Sequence, residues 1–171
     1  MKKQPEAPEN TPVLKVEVRR ADVVQLVMDD ELLRRSALVR AMADDAKAVL
    51  KMGTGRRYRN QATVFAQADP GASLFLVLNG EARLFARNGA DTVELGAAGK
   101  GDVFGEDGVL GESPVRTFSA VALGEVDAVE LPREAIIKCG SERPALLSYL
   151  DEVRVKRQKA RDELSDFLGR W

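Results

Sequence analysis

"ATVFAQADPGASLFLVLNGEARLFARNGADTVEL", residues 62–95, divides into short apolar runs (ATVFAQ, SLFLVL, EARLFAR, DTVEL) separated by ADPGA, NG and RNGA. Runs of this length, rich in Val, Phe and Leu and bounded by Gly, Pro, Asn and Asp, read as strands. RTFSAVAL (116–123) and DAVEL (127–131) continue the rhythm, so the middle of the chain reads as about seven strands. Asn79-Gly80 between two apolar runs carries the positive φ angles of a tight hairpin. Such spacing predicts an antiparallel double-sheet roll or barrel.

The flanks have a different period. Residues 1–12 hold Pro, Glu, Asn and Lys with nothing to bury and read as a disordered tail. VLKVEV (13–18) suits a short strand or a helix lead-in, and from Ala21 to Leu50 Leu32, Leu33, Leu38, Met42 and Val49 recur at amphipathic helical spacing. After Pro132 the pattern is helical to the end. Leu146, Leu150, Val153, Arg157, Ala160, Leu164, Phe167 and Trp171 alternate by four and three, the seam of a coiled coil, with Pro144 in the first turn and Ser141 as its cap. The expected fold is therefore α+β, an antiparallel, jelly-roll-like β-roll flanked by N-terminal helices and a long C-terminal helix. Its divisions are a tail at 1–12, a helical segment at 13–50, the roll at 51–138 and a dimerisation or lid helix at 139–171.

Composition narrows the function. The 171 residues suit one domain with extensions, and 26 Lys and Arg against 27 Asp and Glu leave no global field to recruit nucleic acid or an anionic membrane. The basic run RVKRQKAR (154–161) is flanked by Asp151, Glu152, Asp162 and Glu163 and reads as a solvated helix face. The absence of histidine removes the usual general base and the commonest metal ligand, which argues against hydrolases and histidine-dependent jelly-roll metalloenzymes. A single cysteine, Cys139, no signal-peptide pattern and no long apolar run point to a cytoplasmic protein that does not span a membrane.

"GKGDVFGEDGVLGESPVRTFSA", residues 99–120, sets five glycines around acids and one arginine. FGEDGVLG reads as a turn feeding a very short helix, whose free amides near Gly105, Glu106 and Asp107 favour an anion. Arg116, ten positions after Glu106, can fold back to grip a phosphate, and Thr117 adds a hydroxyl. A carboxylate beside a phosphate must aim elsewhere, and a sugar hydroxyl is the natural donor to Glu106, so the combination reads as a nucleotide site. The side chains of Asp107 and Glu112 read as solvated loop acids.

FGEDGVLGESPVRTFSA resembles the phosphate-binding cassette of the cyclic-nucleotide-binding domain, the module of bacterial catabolite activators, protein kinase A regulatory subunits and nucleotide-gated channels. GRRYRNQATVFAQADPGASLFLVLNGEARLF, residues 55–85, is similar to the opening hairpins of that family. The resemblance implies a ligand set of Gly105, Glu106, Asp107, Val115, Arg116 and Thr117, in which Gly105 gives an amide, Glu106 takes the ribose 2′-hydroxyl and Arg116 grips the cyclic phosphate. Thr117 would touch phosphate or base. Three residues depart from the family pattern: Gln61 and Ala68 stand at turn-glycine positions, and Val115 intervenes between Pro114 and Arg116.

The expected protein is a non-enzymatic sensor of cAMP or cGMP without metal or cofactor. It would act in signal transduction as a homodimer through its C-terminal helix, passing occupancy to a downstream protein. A protein-interaction scaffold or a cyclic di-GMP binder is the alternative. About 33 residues after Lys138, mostly one helix, leave no room for a helix-turn-helix, so no DNA contact is expected. Arg157, the charged member of the seam, faces a partner helix or lids the pocket.

Overall fold

The computed structural model describes residues 22–23 and 29–169. The N-terminal tail, VLKVEV and Trp171 lie outside the described residues. Strands β1 (Asp22–Val23), β2 (Thr54–Tyr58), β3 (Thr63–Phe65), β4 (Ser73–Asn88), β5 (Asp91–Ala98), β6 (Val103–Phe104) and β7 (Ser119–Pro132) form one antiparallel sheet. Its order is β1-β2-β7-β4-β5, with β3 on β7 and β6 on β4. Helices α1 (Asp30–Arg35), α2 (Ala37–Met42) and α3 (Ala46–Lys51) precede the roll; α4 (Asp107–Leu110) interrupts it; α5 (Arg133–Glu142) and α6 (Pro144–Leu168) follow. This is the α+β antiparallel roll with flanking helices expected from the pattern.

The expected strands merge. SLFLVL and EARLFAR are one strand, β4, as RTFSAVAL and DAVEL largely are in β7, and the two pair from Ser73↔Pro132 to Phe85↔Ser119. Asn79-Gly80 is therefore a bulge, not a hairpin. The register shifts on both sides of Asn79, Gly80 has φ +83°, and a Cβ there would lie 2.3 Å from the carbonyl of Glu125. Across the ladder Gly124, also at positive φ, lets β7 bend with it. The tight hairpin falls one turn signal later, where Asn88 pairs with Asp91 across Gly89-Ala90.

The merged strand explains why SLFLVL is apolar without alternation. Leu74, Leu76 and Leu78 face a core built with Leu38, Met42, Leu131, Ile136 and the helices, while Phe75 and Val77 face the roll's interior with Phe65, Phe104 and Phe118. Covering both faces of a strand calls for apolar residues at successive positions. Beyond the bulge, Ala82, Leu84 and Ala86 alone turn inward and alternation returns.

The flanks depart from expectation in three places. Asp22–Val23, within the segment read as helical, adds a short strand to β2. The C-terminal region is two helices meeting at Arg143, and Ser141 lies inside α5, donating to the carbonyl of Lys138 instead of capping α6; Pro144 does open α6. Leu146 and Leu150, the start of the seam, are buried in the chain's own core with Val153 packed against it, so the seam's first half docks on its own domain.

Gln61 (φ 65°) and Ala68 (φ 74°) keep the left-handed turns at which the family pattern has glycine. Both are exposed, so glycine there loses no packing. A left-handed non-glycine residue costs about 1–2 kcal/mol, part of which glycine's greater unfolded entropy offsets. Gln61→Gly and Ala68→Gly are expected to stabilise by about 1 kcal/mol each, a rise of about 2–4 °C in Tm by thermal denaturation. An unchanged Tm in both would show the turns to be unstrained.

Candidate functional site

Arg116 reaches the interior because its loop pairs with the turn before β4. Pro70 and Val115 form an antiparallel bridge, Arg116 N–H donates to Asp69, and Gly71 N–H donates to Pro114. Neighbours in an extended segment point to opposite sides. Val115 is 41% exposed, whereas Arg116 is 3% exposed, so the intervening valine sets the alternation that sends the arginine inward. Val115 itself lies away from the other site residues' contacts.

The guanidinium is enclosed by protein. Arg116 Nη1 donates to the carbonyls of Ser73 (2.8 Å) and Gly105 (3.0 Å), and Nη2 donates to Ser73 Oγ (2.9 Å). Its carbon lies 4.2 Å from the centroid of the Phe65 ring. A Cβ on Gly71, Gly105 or Gly108 would come within 2.2, 2.8 and 2.6 Å of guanidinium atoms. Two of the cassette glycines thus make way for the arginine itself.

Asp107 is not a solvated acid; it is 7% exposed, while Glu112 is on the surface. Its Oδ1 accepts from the amide of Gly108 (2.9 Å), and its Oδ2 accepts from the amide (2.6 Å) and hydroxyl (2.9 Å) of Thr117. Arg116 Nη1 stands 3.6 Å from Oδ1. One carboxylate therefore fills a seat of three donors and a cation.

Glu106, 1% exposed, immediately precedes α4 and turns toward α6. Its carboxylate accepts from Arg157 Nη1, while Arg157 Nη2 donates to the carbonyl of Val103 (2.7 Å). Burial pushes the Glu106 carboxyl above its ordinary value, against the pull of Arg157. One helical turn on, Arg161 donates to the carbonyl of Thr117 (3.1 Å). Two arginines of α6 thus clasp the cassette, and the charge that breaks the seam serves the site.

Contacts join Gly105, Asp107, Arg116 and Thr117, while the adjacent Glu106 turns to Arg157. Sequence reasoning missed Ser73, Phe65, Gly71, Phe118 and Arg161. The space between the cassette and α6, walled by Glu106, Thr117, Phe118 and Arg157, is only about 20 Å³, so the helix is closed on the site. On the far side of Arg116 an open groove of about 870 Å³ is lined by Arg56, Tyr58, Thr63, Phe65 and Glu130. Of the expected site residues it touches Arg116 alone. Among the described residues no group of three or more His, Cys, Asp or Glu is placed to hold a metal, and no helix is long and apolar enough to cross a membrane.

The family model of the cyclic nucleotide-binding domain matches residues 55–142. A CRP-like cAMP-activated global transcriptional regulator of Mycobacterium tuberculosis is 29% identical over 143 residues, covering 81% of this chain and 63% of the relative. A cyclic AMP receptor protein of Thermus thermophilus is 31% identical over 115 residues, 67% of this chain and 53% of that protein. The crystal structure of Thermus thermophilus catabolite activator protein superposes with a TM-score of 0.64 at 29% identity, covering 78% of this chain and 63% of that one. The chain thus spans between about half and two thirds of the length of these curated relatives.

Removing Arg157 strands a buried carboxylate. Arg157→Ala is expected to cost about 3 kcal/mol at neutral pH by denaturant unfolding. Without the guanidinium, burial lifts the Glu106 carboxyl further. A carboxyl raised in the folded state favours folding fully below its ordinary range, and that contribution is lost as pH rises through the folded value. The deficit should therefore shrink between about pH 7.5 and about pH 5; a deficit independent of pH would place the loss elsewhere.

Proposed function

This chain belongs to the cyclic nucleotide-binding domain family, and on that premise we propose that it is a regulatory, non-catalytic module that takes a cyclic mononucleotide, cAMP or cGMP, at the cassette and reports occupancy through α6. The observation carrying this reading is the seat at Thr117 and Gly108 beside Arg116, where three donors and a cation surround one negative charge. A cyclic phosphodiester bears the same single charge. The matched relatives of Mycobacterium tuberculosis and Thermus thermophilus are named for cAMP, which favours that nucleotide.

The signal passes through Glu106. In the closed arrangement its carboxylate is engaged by Arg157. A ribose hydroxyl donating to Glu106 competes with that guanidinium, and the purine needs the space that Phe118 and Arg157 now wall. Binding therefore opens the distal half of α6 while Leu146 and Leu150 keep its start anchored. Ligand and closed helix want the same carboxylate, which is the differential contact a switch requires. The repacked helix presents a new surface to a downstream protein in the cytoplasm or to a second copy in a homodimer. Leu164, partly buried, and Phe167, 60% exposed, lie on that distal half.

The scaffold reading draws on one observation, the narrowness of the closed site, and cyclic di-GMP remains the alternative ligand. Calorimetric titration with cAMP, cGMP and cyclic di-GMP separates them. Micromolar binding of a mononucleotide, about 8 kcal/mol, is expected; heat only with cyclic di-GMP, or with none of the three, would sink the proposal. Arg116→Lys keeps the charge but loses the fork and should weaken binding by about 10–100-fold. Truncation to alanine is the poorer test, since Arg116 also holds Ser73 and Gly105 in place. Analytical ultracentrifugation with and without nucleotide should show a dimer that Leu164→Asp dissociates; a monomer under both conditions removes the homodimer.

A further inference from the structure

We infer that Asp107 is an internal ligand of the anion seat, a built-in competitor that a phosphodiester must displace. The inference deepens the proposed function and rests on the same cassette. Four features carry it. The carboxylate is buried and uses both oxygens, taking the Gly108 amide on one and the Thr117 amide and hydroxyl on the other. The amide and hydroxyl of one residue converging on a single oxygen make a seat shaped for an oxyanion. Arg116 lies within 3.6 Å, so the seat holds a net charge of one sign and the aspartate supplies one unit of the other. Among the described residues, Arg116 Nε is the buried side-chain polar atom for which neither Asp107 nor any other group provides an acceptor.

Burial makes the competition matter. Donors enclosed beside a guanidinium require an acceptor, and the aspartate, at the start of α4, meets that need without loss of translational freedom. An attached competitor acts at an effective concentration of millimolar or more, which lowers the apparent affinity of any free anion. A phosphodiester entering the seat replaces one negative charge by another, so the exchange leaves the surrounding charges balanced. The displaced carboxylate then has to turn to solvent. Asp107 thereby sets the threshold concentration at which the module responds.

The test compares the full chain with Asp107→Ala, using calorimetry with cAMP and cGMP and thermal unfolding in inorganic phosphate against sodium chloride of matched ionic strength. Asp107→Ala is expected to bind the preferred mononucleotide at least about tenfold more tightly than the unmodified chain. Phosphate should raise the Tm of the variant by several degrees beyond chloride and leave the unmodified chain unchanged. Equal or weaker nucleotide affinity in the folded variant overturns the inference and leaves the proposed function standing. If neither protein binds a mononucleotide but phosphate stabilises the variant alone, the internal ligand stands and the cyclic-nucleotide reading falls. No mononucleotide binding and no phosphate-specific shift overturns both. Asp107→Asn, which keeps the shape and one acceptor oxygen, carries the same comparison if the alanine variant does not fold.

Discussion

One buried guanidinium organises this domain. Taking a charge out of water costs several kcal/mol unless its donors and its charge are met. Arg116 is met by two carbonyls, a hydroxyl, an aromatic face and a nearby carboxylate. Those partners come from the end of β3, the start of β4 and the stretch from Gly105 to Asp107, three separate segments of the chain. Holding the arginine therefore holds the cassette in shape, and the glycines at 71, 105 and 108 are the condition for doing so.

From that centre a polar chain runs outward. Asp107 ties Thr117 to the start of α4; Glu106, the preceding residue, binds Arg157; Arg161 returns to the carbonyl of Thr117. The last helix is thus secured in two different ways. Its first turns are fixed by apolar burial of Leu146 and Leu150, while its middle is held by hydrogen bonds to Glu106 and the carbonyl of Thr117. Apolar packing exchanges for nothing a small polar ligand offers, whereas the hydrogen bonds of the middle are the kind of contact that the proposed ribose hydroxyl at Glu106 would compete for. In the proposed switch the boundary between the two is where α6 would move.

The roll was legible because its physics is local. Short apolar runs with glycine, proline and asparagine between them predict an antiparallel roll whichever strands pair. The same local reading placed the hairpin at Asn79-Gly80, since a glycine with positive φ serves a turn or a bulge equally well. Only the partner strand distinguishes them, and β7 lies across both halves of β4. The coiled-coil seam misled in a similar way. Period alone says that Leu146, Leu150 and Val153 share a face, not whose surface covers it, although the one arginine in that seam was a visible sign that the face changes its task midway.

By itself the sequence determined the class of fold, the short helix after Gly105, and the approach of Arg116 to Gly105 within one loop, because strand rhythm, turn chemistry and close spacing act between neighbours along the chain. Only the tertiary structure decided that Asp107 fills the seat at Thr117, that the cassette glycines admit an arginine side chain, and that α6 closes over Glu106. Hydrogen-bond partners and buried charges are selected by distance in space, and a loop acid facing water has the same letter as one facing a guanidinium.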